Sequence, residues 1–322
     1  MFTRIDHVVI AVSDLPQGMT QYRKLGFDIH PGGNHPGMGT HNAIGLNQED
    51  YIELLAIRDQ TEQRSASARP GSWVTGLAEF VAAGGGLRYA VVQSDDLAVD
   101  VAAMRSRGVD VSDAMDGRRV TSSGLELQWR LALPGPQNAL PIFFIQHLTP
   151  LAERRKQAPV GTTPSPSAPP LLIGGGEIRS TSSLNGGSGH PNGVYALERA
   201  YIVTQDVEAA AATYAKVLGL PQPAITKGTV IMSNMAVFQI GPTGLGVVQP
   251  YAAGPAADAL ERRGPGPFQA LYRTRSMGAA ARWMQDQGLP PLARGVRNTG
   301  EHAMLATPAE ACGAYIGFVG PE

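Results

Sequence analysis

A single cysteine, Cys312, in 322 residues leaves no partner for an internal disulfide. Its small and apolar sequence neighbours offer no base to activate the thiol, so it reads as a packing residue. Charge is just as sparse. Charged residues make up 16% of the chain, with 26 Lys+Arg against 27 Asp+Glu, so there is no basic field to attract a polyanion and nucleic acid is not an expected partner. Long hydrophobic runs are also missing. The stretch from Val8 to Val12 is far short of the ~20 residues that span a bilayer. Met1 to His7 enters a strand pattern at once, without the basic, apolar and cleavage regions of an export signal. The expectation is a cytoplasmic protein with no membrane partner and a small-molecule ligand; whether it is a homodimer is left open.

What the chain does have is length and apolar content, at 43%, enough for more than one core. Residues 154–193 break the pattern with Pro, Gly and Ser, including Pro164 to Pro170 and Gly174 to Gly176, and read as a linker between domains at 1–153 and 194–322. Each half then repeats one order of elements. Ile5 to Ser13 is strand-like, Asp14 opens a helix to about Lys24, and Gly26 stops it. Strands follow at Phe27 to Pro31, Thr40 to Leu46 and Tyr51 to Ile57, with a wide turn over residues 32–39. The order recurs around Leu87 to Gln93 with Asp96, Ala200 to Gln205 with Asp206, and Phe268 to Thr274 with Ser276. The expected fold is therefore α+β, four βαβββ modules (1–57, 86–148, 196–251, 267–320) forming two lobes with curved mixed sheets. Modules one and two pair, as do three and four; pairing of one with four would instead set Gln269 beside His7. A helix from Trp73 to Ala83 bridges the first two modules.

Two residues point to chemistry. Alternation places His7 with Val9 and Ala11 on one face of the first strand. Glu53 shares a face with Tyr51, Leu55 and Ile57 in a strand otherwise free of charge, so its carboxylate should be buried. A buried carboxylate needs a cation, a donor or a proton. A metal shared with His7, a donor such as Tyr89, and a raised pKa that makes Glu53 a general base all satisfy that need.

The runs Asp6 to Leu15, Leu25-Gly26-Phe27 and Tyr51 to Leu55 resemble the vicinal oxygen chelate superfamily. His35 to Asn42, Leu140 to Gln146 and His190-Pro191-Asn192-Gly193 look like its glyoxalase-like subgroup, glyoxalase 3. The resemblance implies a metal site built from the first and last strands of paired modules: His7 and Glu53, with Tyr89 and Gln146 at the matching positions of the second module. In the second half those positions fall on Arg199, Val247, Gln269 and Gly317, which are not a ligand set. The implied cofactor is a divalent ion, Zn, Mn, Ni or Fe, or none.

The candidate site is then His7, Glu53 and Gln146 as metal ligands, with Glu53, His41 and Tyr89 as catalytic groups. His41 competes with Gln146 for the third ligand position, and His147 reads as structural. Trp129 and His190 are candidate substrate contacts, His190 as a lid or anion contact, and Arg119 is a weaker one. The expected function is a glyoxalase-like isomerase or lyase using the metal as a Lewis acid on a small oxygen-rich substrate. A metal-free binding or sequestration protein is the alternative, and a dioxygenase a second.

Overall fold

The structure, a computed structural model, describes residues 1–121, 124–135, 140–157, 189–297 and 299–322. The first sheet comprises β1 (Phe2–Ala11), β2 (His30–His35), β3 (Thr40–Leu46), β4 (Tyr51–Ile57), β5 (Gly86–Ser94), β6 (Met115–Val120), β7 (Glu126–Ala132) and β8 (Ile142–His147). Its spatial order is β2-β3-β4-β1-β5-β8-β7-β6. The second sheet comprises β9 (Val194–Val203), β10 (Thr226–Gly228), β11 (Ser233–Ile240), β12 (Thr243–Pro250), β13 (Gly266–Thr274), β14 (Ala293–Val296), β15 (His302–Ala306) and β16 (Tyr315–Gly320). Its order is the same, β10-β11-β12-β9-β13-β16-β15-β14. Within each module the first and last strands run parallel, while the two first strands of a pair, β1 with β5 and β9 with β13, run antiparallel. Module one thus pairs with two and three with four, making two curved, barrel-like lobes.

Four helices sit at equivalent places: α1 (Leu15–Lys24), α4 (Leu97–Ser106), α6 (Val207–Leu218) and α8 (Met277–Asp286). Each is opened by the short polar side chain that marked it in sequence. Asp14 accepts from the amide of Gln17 at 2.8 Å, Asp96 from Val99 at 3.2 Å, Asp206 from Ala209 at 3.0 Å, and Ser276 from Ala279 at 3.1 Å. Gly26, at φ 88°, follows α1; a Cβ there would also lie 2.5 Å from Asn192 Cβ.

The outer face of the first sheet packs on that of the second. Ile5, Val8, Ile10 and Val92 join Leu197, Ala200, Ile202, Leu245 and Tyr272 in one buried cluster with residues of the four helices. The opposite, concave faces remain for other uses. Between β4 and β5 lie α2 (Gln60–Ser67) and α3 (Leu77–Ala82). The single helix expected over residues 73–83 is thus shorter, because Gly76, at φ 69°, delays its start.

Most of the expected linker, residues 158–188, lies outside the described residues. Its ends are not spacer. Arg154 closes the short helix α5 (Leu151–Arg154), and residues 190–194 are packed between the lobes.

Candidate active site

The concave face of the first sheet opens into a cavity of about 520 Å³. Apolar and aromatic side chains make most of its wall, among them Leu55, Trp73, Tyr89, Trp129, Phe143 and Ile145. His7 and Glu53 meet there, as alternation required. Val9 is the ladder partner of Glu53 and His7 that of Tyr51, so neighbouring strands bring the two polar groups to one level.

The geometry is a buried chain of hydrogen-bonded acidic and imidazole groups. Asp6, fully buried, accepts from His7 Nδ1 at 2.7 Å and from His147 Nε2 at 2.9 Å. A register shift between Ile5 and His7 breaks the alternation that would have turned Asp6 to the opposite face. With Nδ1 committed to Asp6, His7 directs Nε2 at Glu53 Oε2, 3.3 Å away. Glu53 Oε1 accepts from the amide of Asn42 at 2.7 Å. Tyr51 stacks on the His7 ring with centroids 4.2 Å apart. His35 places Nε2 3.9 Å from Glu53 Oε1, while its Nδ1 meets Thr40 Oγ1 at 3.0 Å.

These contacts set the protonation states. Burial alone would raise Glu53, but the hydrogen bond and charge of His7 bring it down to about 2. Burial would lower His7, but the hydrogen bonds and charges of Asp6 and Glu53 raise it above the ordinary imidazole value. His35, with burial dominant, is pushed down. The shifts favour the charged forms of His7 and Glu53 together, beside a His35 that favours the neutral imidazole.

Of the other sequence candidates, Tyr89 and Trp129 line the cavity. The Tyr89 hydroxyl is spent on the carbonyl of Trp73 at 2.8 Å. Gln146 is not placed as a metal ligand. Its amide oxygen accepts from Leu97 N at 3.3 Å and its nitrogen donates to Asp95 O at 2.8 Å, so it closes the start of α4 and faces away from the cavity. Alternation along β8 turns His147 inward instead, and the ladder sets Phe143 opposite Val91, the counterpart of Glu53 opposite Val9. In the second lobe the same register gives Gly246 rather than Val247, opposite Tyr201. His41 does not line the cavity either; its neighbours Thr40 and Asn42 are buried while it is half-exposed. His190 is likewise no lid. It is buried between the lobes, where Nδ1 accepts from Asp28 N at 2.8 Å and Nε2 donates to Asn47 Oδ1 at 2.9 Å.

The residues do not fit the expected three-ligand ion. The first module supplies His7 and Glu53, whose donor atoms already pair with each other and with Asp6 and Asn42. The second supplies Tyr89 and Phe143 at the matching positions. Among the described residues no three His, Cys, Asp or Glu side chains form a metal-binding group.

Comparison with known proteins agrees with the fold. The model of the family described as the glyoxalase-like domain matches residues 5–218. A hypothetical protein from Staphylococcus aureus superposes with a TM-score of 0.64 at 13% identity, over 98% of this chain and 99% of that one. A mutant 4-hydroxymandelate synthase from Streptomyces coelicolor gives 0.58 at 11%, over 100% and 93%. A fusion of a xylose isomerase-like TIM barrel with a 4-hydroxyphenylpyruvate dioxygenase gives 0.53 at 11%, over 99% of this chain and 49% of that one. No curated protein matches. Among the described residues no helix is long and apolar enough to cross a membrane.

Proposed function

The chain belongs to the glyoxalase-like domain family, and on that premise we propose that it is an enzyme of the isomerase or lyase type. It moves a proton on a small oxygen-bearing molecule held in the first-lobe cavity. The observation that carries this reading is the buried ion pair of His7 and Glu53, 3.3 Å apart and opening onto an apolar chamber. Titratable groups in a cleft whose pKa values are moved by burial together with a specific charge partner mark a functional site.

The two groups divide the work. A carbonyl oxygen of the substrate accepts the Nε2 proton of His7, which Asp6 holds in orientation through Nδ1. Released from that hydrogen bond, Glu53 keeps the burial that raises a carboxyl pKa and loses part of the attraction that lowers it. It then accepts a proton from the carbon beside the carbonyl. One proton leaves carbon for Glu53 and one leaves His7 for oxygen, giving the enol; return of a proton to either carbon completes an isomerisation, and loss of a neighbouring leaving group completes an elimination. Asn42 holds the carboxylate in place. No step runs through a metal ion, because the donor set does not fit one.

The aromatic walls, with Trp73, Tyr89, Trp129 and Phe143, also favour a second reading, a binding protein without turnover. The discriminating experiment is a hydrogen–deuterium exchange screen of hydroxy- and keto-carbonyl compounds in heavy water, read by mass spectrometry. The enzyme reading expects wild-type protein to catalyse exchange on carbon in at least one compound, and Glu53→Gln to lower that rate by about 10²-fold or more while remaining folded. Exchange that survives in Glu53→Gln, or that needs an added divalent ion, contradicts it; binding without exchange supports the second reading.

A further inference from the structure

The chain leaves β8 through Leu148 and Thr149, whose amides both donate to Gln128 O on β7, at 2.9 and 3.1 Å. The Thr149 hydroxyl accepts from Gln128 N at 2.8 Å. This clamp fixes the start of α5 and sets its last residue, Arg154, in the cavity wall. Arg154 is only 8% exposed. Its Nε is buried with no hydrogen-bond partner, and no carboxylate of the described residues lies within ion-pair reach of its guanidinium. A guanidinium cannot relieve such burial by losing its proton, as a lysine or histidine can.

The other charges lining the chamber do not balance it. Glu53 is paired with His7 and Asn42, and Asp116 with Arg130 at 3.1 Å. Arg118 and Arg119 also line the cavity, Arg119 donating to Gly32 O at 2.7 Å. Arg154 lines the same cavity as Tyr51, and its positive charge acts on that phenol, which stacks on His7.

We propose that Arg154 is the anion anchor of this cavity, and that the substrate is a carboxylate borne on an apolar or aromatic body. The inference rests on the reading of the cavity as the substrate site. The planar guanidinium takes the two carboxylate oxygens side by side, the body lies against Trp73, Trp129 and Phe143, and the group to be deprotonated faces His7 and Glu53.

Binding is tested with 3-phenylpropanoate and its neutral isostere 3-phenylpropanamide as probes, followed through tryptophan fluorescence of the full chain. The acid binds wild-type protein about tenfold or more tighter than the amide. In Arg154→Met, which keeps an unbranched apolar stem, the ratio falls to near one with the amide affinity retained. Arg154→Lys keeps the charge without the fork and gives an intermediate ratio; it carries the test if the Met variant does not fold. Equal binding of both probes to wild-type protein, or an acid preference that persists in Arg154→Met, overturns the anchor but leaves the cavity reading standing. Binding of neither probe overturns both.

Discussion

Glu53 and His7 were legible as single residues because a charge inside an otherwise apolar strand has few physical outlets. Which outlet was taken was not legible. The partners Asn42 and Asp6 come from a neighbouring strand and from a bulged position, and period-two alternation cannot foresee a bulge. His35 stood in what read as a wide turn, and His147 one residue from the aligned Gln146; a slip of one position reverses the face of every side chain in a strand. The pair should govern the pH response of folding. Glu53 is held at about 2, so the stability it contributes is present above its ordinary 4.5 and is lost as pH falls toward 2. His7 is raised, so its contribution is present below its ordinary 6.5 and is lost as pH rises through its native value. Urea unfolding of Glu53→Gln should show a loss of about 1–3 kcal/mol near pH 5.5, shrinking as pH rises through the native pKa of His7. A loss that stays constant across the whole alkaline titration of His7 would mean the pair is not charged.

At the scale of elements, the caps were read directly from sequence, since Asp14, Asp96, Asp206 and Ser276 each precede an apolar run. Strand β2 was not, because His30 to His35 carries two glycines and a proline and pairs only across a register shift. Residues 190–194 mislead in another way: a Pro-Asn-Gly turn looks exposed, yet it locks the lobes together. Asn192 donates to Leu25 O at 2.8 Å, Thr274 donates to Asn192 O at 2.6 Å, and His190 bridges Asp28 to Asn47, which in turn donates to Asp50. Asp50 accepts from Leu197 N at 3.0 Å, and burial pushes its carboxyl up to about 7. Burial lowers His190 to about 4, so the native state resists its protonation and stability from this contact falls as pH drops from 6.5 toward 4. His190→Ala should lower stability at pH 7 by about 2–4 kcal/mol, having orphaned the Asp28 amide and the Asn47 oxygen, and should remove that acid dependence. Chemical denaturation at pH 7 and pH 5 checks both; cavity binding should be unchanged.

Across the whole molecule, one architecture serves two purposes. The fourfold recurrence was visible because each module repeats strand, cap and glycine stop, but the difference between the lobes depends on what fills each concave face. In the second lobe Tyr201, Phe268, Leu271 and Tyr315 pack with Ala256 and Ala259 of α7 (Pro255–Arg263). In the first lobe α2, α3 and the segment between them cover only part of the face, with Ala66, Val74 and Leu77 against Val9 and Leu55, and the rest is cavity. The proton transfer proposed for that cavity depends on a charged His7. The most direct measurement is the NMR titration of the His7 ring, assigned with His7→Gln, in wild-type protein and in Glu53→Gln. His7 is expected to titrate above its ordinary value in wild-type protein and to shift downward in Glu53→Gln. A His7 that is neutral at pH 7, that does not titrate because an ion occupies Nε2, or that titrates identically in both proteins would contradict it.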